Sequence, residues 1–440
     1  MHFRCGEVHP NFCYYHAVTL HGPKFPTCKR WRDVACGVPY LWSSLKVIAS
    51  PTASEPSVEV LETWMHLSGS HPLSLSLVCR RRPETVQDDG ASSRVGVSKV
   101  LEIFLLNIYR WRDISFDFSQ QAPPVKYTPH LTAQGAPQLE RLEMHPFSWS
   151  SLLGVFEIPW LVSALASAPL LRRFSGYRGN FPHALINTIP WKQLTHVRLE
   201  SRLSEAVCLF ILQSAPNLVE CHMLDIRHGI FEHFLSYDPL LAPILPHLAK
   251  FSLATQVGFD KLFRLMVTPQ LQTLEIATRS SLMRWDHPQF MAFLKRSLCS
   301  ITTLIIRDLF ISRLTPAEVY ELLAHISDSL THLAITSDIP GTPVGIQNSL
   351  LRGLAYHPTG RVLCPQLERI SLQIGVSATD GELGRMIESR WLGHRQSPSR
   401  IVRLQYIDIL CSTDTHSNDI RTLNALLKQG LEGQVRLQNS

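Results

Sequence analysis

A short signature recurs along this chain: Leu or Ile, an apolar residue three positions on, usually another at five, and often a proline just upstream. Copies begin at Leu139, Leu171, Leu194, Leu218, Leu248, Leu271, Ile301, Leu330, Leu367 and Ile401, spaced 23 to 37 residues apart. Positions three and five of a copy share one face of a short strand, and the residues between them point away. The stretches between copies carry helical spacing, as in Ala206, Leu209, Phe210 and Gln213, or Val319, Leu322, Leu323 and Ile326. Thr315-Pro316-Ala317-Glu318 has the capping residue, first-turn proline and early acid of a helix start. One strand and one helix cannot bury their apolar sides alone, but they can when stacked on the next pair.

The expected fold is therefore α/β, an irregular leucine-rich-repeat-like solenoid with parallel inner strands and outer helices over residues 136–410. An ordinary α/β domain is the alternative. Composition agrees with a large core: 63 of 440 residues are leucine, 45% are hydrophobic and 18% charged. The segment 51–135 is read as a transition with the first repeats. It holds a helix from Val58 to Leu67, an alternating strand from Leu73 to Leu77, a helix from Val97 to Tyr109 and a strand from Ile114 to Phe118. The repeats are thus expected to begin near residue 70, with loops at Pro83 to Ser93 and Gln120 to Gly135. Residues 411–440 are expected to form a cap, with a helix from Ile420 to Leu431.

The net charge of +6 is thinly spread, with Arg80-Arg81-Arg82 the one basic run, which disfavours nucleic acid as a partner. Apolar runs such as Val100 to Ile108 fall short of the ~20 residues a membrane span needs. The ten cysteines form no Cys-x-x-Cys pair, and Asn-x-Ser/Thr is missing. A reduced compartment, cytoplasm or nucleus, is expected.

Near the start, Cys28-Lys-Arg-Trp31-Arg32-Asp-Val-Ala35, followed by Pro39-Tyr-Leu41-Trp42-Ser-Ser-Leu45, resembles the second half of an F-box. It is most similar to the large F-box-like family of mushroom-forming fungi. The later pieces Pro72 to Leu77, Arg110-Trp111-Arg112-Asp113-Ile114, Pro190-Trp191 with Leu194-Thr195, and Met386 to Trp391 are similar to that family too. The resemblance implies docking on a Skp-type adaptor of a cullin ubiquitin ligase, with the repeats collecting a protein substrate. Cys28, Trp31, Arg32, Leu41 and Trp42 carry part of that adaptor surface. An F-box opens with Leu-Pro-x-Glu and a helix ending in Ile-Phe. Residues 1–27 have neither, so that helix is expected to be missing or replaced and the segment to be a poorly ordered tail. Trp31 and Trp42 also serve as plain core aromatics sealing the first turn.

No Gly-x-Ser-x-Gly elbow, His-Glu-x-x-His helix or Walker loop is present, so no catalytic site and no cofactor are expected. Cys5, His9, Cys13, His16, His21 and Cys28 lack the paired spacings of a zinc site, and no metal is expected. The function falls instead on strand residues that point away from the core. These are Arg141, Glu143, His196, Arg198, Glu220, His222, Lys250, Thr273, Glu275, His332, Arg369 and Arg403, with Ser252, Ser371 and Gln405 beside them. They form the expected partner-binding concave face, where histidine makes affinity change between about pH 6 and 7.

Overall fold

The computed structural model describes residues 29–50, 54–80, 95–120, 135–145, 159–176, 183–227, 241–258, 260–278, 285–307, 314–336, 346–358, 360, 362–372, 378–396, 401–412 and 415–438. Cys28, the candidate zinc residues and the expected loop at 83–93 lie outside them, as does the expected loop at 120–135 except for its two end residues. The chain packs as two compact units, Met1–Arg202 and Leu203–Ser440, a division absent from the expected borders at residues 27, 50, 135 and 410.

In the first unit α1 (Lys29–Cys36) leads through a 3-10 turn at Pro39–Trp42 into β1 (Ser44–Ala49) and β2 (Ser54–Glu55). Then follow α2 (Val58–Leu67), β3 (Leu73–Cys79), α3 (Val95–Leu106), β4 (Trp111–Asp117) and β5 (Arg141–His145). The unit continues through α4 (Pro159–Ala166), β6 (Arg173–Gly176), α5 (His183–Thr188) and β7 (His196–Leu199). Its sheet runs β2-β1-β3-β4-β5-β6-β7, parallel throughout except for β1 with β2.

The second unit opens with β8 (Leu203–Ser204), α6 (Glu205–Ser214), β9 (Glu220–Arg227), β10 (Lys250–Thr255), α7 (Asp260–Leu265) and β11 (Thr273–Thr278). Next come α8 (His287–Ser297), β12 (Thr303–Arg307), α9 (Pro316–His325), β13 (His332–Thr336), α10 (Asn348–Leu354) and β14 (Arg369–Leu372). It ends with α11 (Glu382–Gln396), β15 (Tyr406–Ser412), α12 (Ser417–Lys428) and β16 (Glu432–Gln438). Each strand from β8 to β16 pairs in parallel with the next in the chain. Both units are thus mixed α/β, with an open sheet whose strands follow chain order except that β2 lies outside β1.

Register explains the core. Leu45, Leu75, Ile114, Leu142, Phe174 and Val197 align across the first sheet and are buried. In the second, Cys221, Phe251, Leu274, Leu304, Leu333, Ile370 and Ile407 do the same. Helix side chains cover this face: Phe104 on α3 and Trp160 on α4 lie 6.3 and 5.4 Å from the Phe116 ring of β4. Each fully buried Leu or Phe contributes about 1.5–3 kcal/mol, so one complete row holds the sheet against its helices.

Three expectations shift. The sheet begins at Ser44 rather than near residue 70: Leu45 and Val47 fill the buried third and fifth places of a copy whose leading position holds Trp42 instead of leucine or isoleucine. The last copy starts three residues later than expected: pairing with β14 makes Leu404, Ile407 and Ile409 its leading, third and fifth residues, while Ile401 is buried ahead of the copy and Tyr406 is only half-buried. Finally, β16 follows the expected capping helix as an additional strand. It hid because Gly433 stands where an apolar residue would. With φ of 126° and its backbone pressed on Ile407, that position has no room for a Cβ, which would fall 1.8 Å from the Ile407 carbonyl oxygen.

Candidate functional site

Strand residues between the buried rows fall into rows of their own on the opposite face. In the first unit Asp113, Arg141, Arg173 and His196 align on β4 to β7, as do Ser115, Glu143, Ser175 and Arg198 two residues on. In the second unit Glu220, Lys250, Thr273, Thr303, His332 and Arg369 align, and His222, Ser252, Glu275 and Ser371 lie on the neighbouring row. Every expected concave-face residue but Arg403 and Gln405 therefore sits on the open-face rows of its own sheet.

Arg403 and Gln405 precede β15, whose first residue, Tyr406, aligns with Arg369. The Arg403 guanidinium lies 3.6 Å from the ring centre of buried Trp391 on α11, a cation–π contact with the helix layer. It is not a face residue. The frame shift in the last repeat is the reason.

In the second unit the face is largely self-satisfied. Glu220 contacts His222 Nε2 at 2.7 Å and Lys250 at 3.7 Å. Glu275 accepts from Arg307 Nε at 2.7 Å and from Ser252 Oγ at 3.1 Å. Asp408 takes both Nε and Nη2 of Arg436. Ser252, Ala334 and Ser371 are buried there, leaving few groups free to bind.

The first unit differs. At the leading ends of β4 to β7 an open cleft of about 550 Å³ is walled by Arg112, Arg141, Arg172, Arg173 and His196, with Asp113 and Glu140 among them. Backbone bonds carry the ladder one residue beyond the strands: Glu140 N donates to Arg112 O, Arg172 N to Glu140 O and Thr195 N to Arg172 O. The cleft is thus two short columns, Arg112-Glu140-Arg172-Thr195 and Asp113-Arg141-Arg173-His196, with neighbours about one strand spacing, ~4.8 Å, apart.

Charge is unevenly spent in this cleft. Arg141 donates to Glu143 at 3.0 Å and stands 3.8 Å from Asp113. The hydrogen bond from His145, with Arg141 also beside it, holds the Glu143 carboxyl below its ordinary pKa despite partial burial. Burial raises the pKa of Asp113, against the pull of Arg141. Among the described residues Arg172 meets only neutral carbonyls, those of Pro169 and Leu171. Exposed Arg173 has no hydrogen bond or ion pair among the described residues. Arg112, Arg172 and Arg173 were missed in the sequence. Their signal is the pair of residues after each leading apolar position, which reads Arg-Asp, Glu-Arg, Arg-Arg and Thr-His in four successive repeats.

At the N-terminal segment, Trp42 is 8% exposed, donates through Nε1 to Ala35 O at 2.7 Å and meets Trp64 edge-on at 4.9 Å. That is core packing. Leu41 is 42% exposed, next to Tyr40 at 65%, with Val34 at 51% on α1. Trp31 and Arg32 lie on α1, and their side chains, like Cys28, lie outside the described residues.

Asp380, His416 and Asp419 bring ligand-type atoms within 4.8 Å of one another. Their oxygens are already occupied. Asp380 Oδ1 accepts from the Asn418 and Asp419 amides, Asp419 Oδ1 from Gly384 N at 2.7 Å, and Asp419 Oδ2 meets His416 Nδ1 at 2.9 Å. The cluster ties the starts of α11 and α12 together. Burial pushes the Cys79, Cys221 and Cys411 thiols up to about 12, so they stay protonated and inert.

Among the described residues no helix is long and apolar enough to cross a membrane. No family model and no curated protein matches the chain.

Proposed function

We propose that the chain is a non-enzymatic protein-interaction module, each unit a stretch of leucine-rich-repeat-like solenoid that binds a protein partner on its open face. The observation that carries this reading is the pairing of a sealed apolar face with an opposite face of aligned charged residues, where Arg172 and Arg173 enter no ion pair among the described residues. The wider role rests on the F-box resemblance: a substrate receptor that docks on a Skp-type adaptor of a cullin ubiquitin ligase. Exposed Leu41, Tyr40 and Val34 support such a docking patch.

Burial of Trp42 favours a second reading, a scaffold that gathers partners without the adaptor. Co-expression with a Skp-type adaptor, followed by size exclusion, separates the two. A stoichiometric complex that Leu41→Asp weakens at least about tenfold, with an unchanged melting temperature, supports the receptor. Elution of the chain alone leaves the scaffold.

A further inference from the structure

We propose that the arginine cleft of the first unit captures an acidic peptide segment, holding two side-chain carboxylates one residue apart in an extended partner chain. The proposal rests on the reading of the open face as a protein-binding surface and gives that surface its ligand chemistry.

Four guanidinium groups and two carboxylates line the cleft, leaving two positive charges unmatched before His196 is counted. Arg141 forms ion pairs with Glu143 and Asp113, whereas Arg172 and Arg173, like Arg112, enter no ion pair among the described residues. A guanidinium presents a planar fork of donors that fits a carboxylate with two parallel bonds. Arg173, exposed and without a hydrogen bond among the described residues, turns that fork to solvent.

The arginines spread over three neighbouring strands rather than converging on a point. Two monoanions fit this layout better than one compact dianion. On an extended chain, residues i and i+2 present side chains on one side about 6.6–6.8 Å apart. Asp113 and Glu140 in the same wall repel a concentrated phosphate more strongly than two separated carboxylates. They also disfavour a nucleic-acid strand, which would lay phosphates past them in succession. Exposed Leu170 at the rim gives the peptide an apolar contact beside its acids.

The test is fluorescence anisotropy on the full-length chain with a labelled peptide of core Glu-Ser-Glu-Leu. The acidic peptide should bind, and affinity should fall at least about tenfold when Arg172→Ala and Arg173→Ala are combined, or when both glutamates become Gln. Lys295→Ala, on α8 of the other unit, should leave binding unchanged. Because Arg173 is exposed, Arg173→Gln provides a milder variant, and melting curves confirm that each variant folds. A Kd weaker than about 1 mM, equal binding of the Gln peptide, or equal binding by the arginine variants overturns the proposal. So does preference for a Gln-phosphoserine-Gln-Leu core over the acidic one, which would make the ligand a phosphate. If the adaptor assembles and the acidic peptide does not bind, the cleft assignment fails alone. If the peptide binds and no adaptor assembles, only the receptor role falls.

Discussion

His332 shows how one residue of the open face responds to its surroundings. It lies on β13 between Thr303 and Arg369 of the adjacent strands. Burial first, and the Arg369 charge second, hold its pKa below the ordinary 6.5. Because the folded chain resists this proton, His332 contributes stability that is full above about pH 6.5 and is lost as pH falls toward the folded value. His332→Asn should therefore narrow the drop in melting temperature between about pH 7.5 and about pH 5 relative to the parent. Parallel profiles would count against this assignment. The affinity change first expected between about pH 6 and 7 moves to the acid side for this residue. Trp42 teaches a related lesson: a tryptophan in a resemblance motif was legible, but only its bond to Ala35 and its packing on Trp64 show that the ring is spent inside.

At the scale of one element, helix starts were the most legible feature because their signals are local. At α9, Thr315 Oγ1 accepts from the Glu318 amide at 3.3 Å, and the Glu318 carboxylate accepts from Thr315 N at 2.7 Å. Thr315→Ala should cost about 1 kcal/mol in denaturant unfolding, with the m-value unchanged. A cost near zero would mean that packing of Val319, Leu322 and Leu323 alone sets this helix start. Strand frames were less legible. Leu404 belongs equally to a signature begun at Ile401 or one begun at itself, and pairing with β14 decides in favour of the second. Arg403 changes role with that choice, from face residue to partner of Trp391.

At the largest scale, an open tandem sheet distributes stability unevenly along the chain. In the second unit β12 is paired on both sides, whereas β16 has β15 alone and exposes Gln434, Arg436 and Leu437. Hydrogen exchange should be at least about tenfold faster in a peptide covering 432–438 than in one covering 303–307. Equal rates would mean that the unit opens as a whole, without fraying at its last strand.

In every copy but the last, the recurring apolar triplets by themselves determined which side chains are buried and which face stays open, since a strand alternates with a period of two whatever surrounds it. The tertiary structure decided which open-face residues meet. Arg112, Arg141 and Arg173 stand about thirty residues apart along the chain, in repeats of unequal length, and the residue pair after each leading apolar position marks them without showing that they meet. Parallel pairing sets Arg173 about one strand spacing from Arg141, and Arg141 as close to Asp113, the residue next to Arg112. That closeness concentrates their charge in one cleft, because the interaction between charges falls with distance in space and is indifferent to distance in sequence.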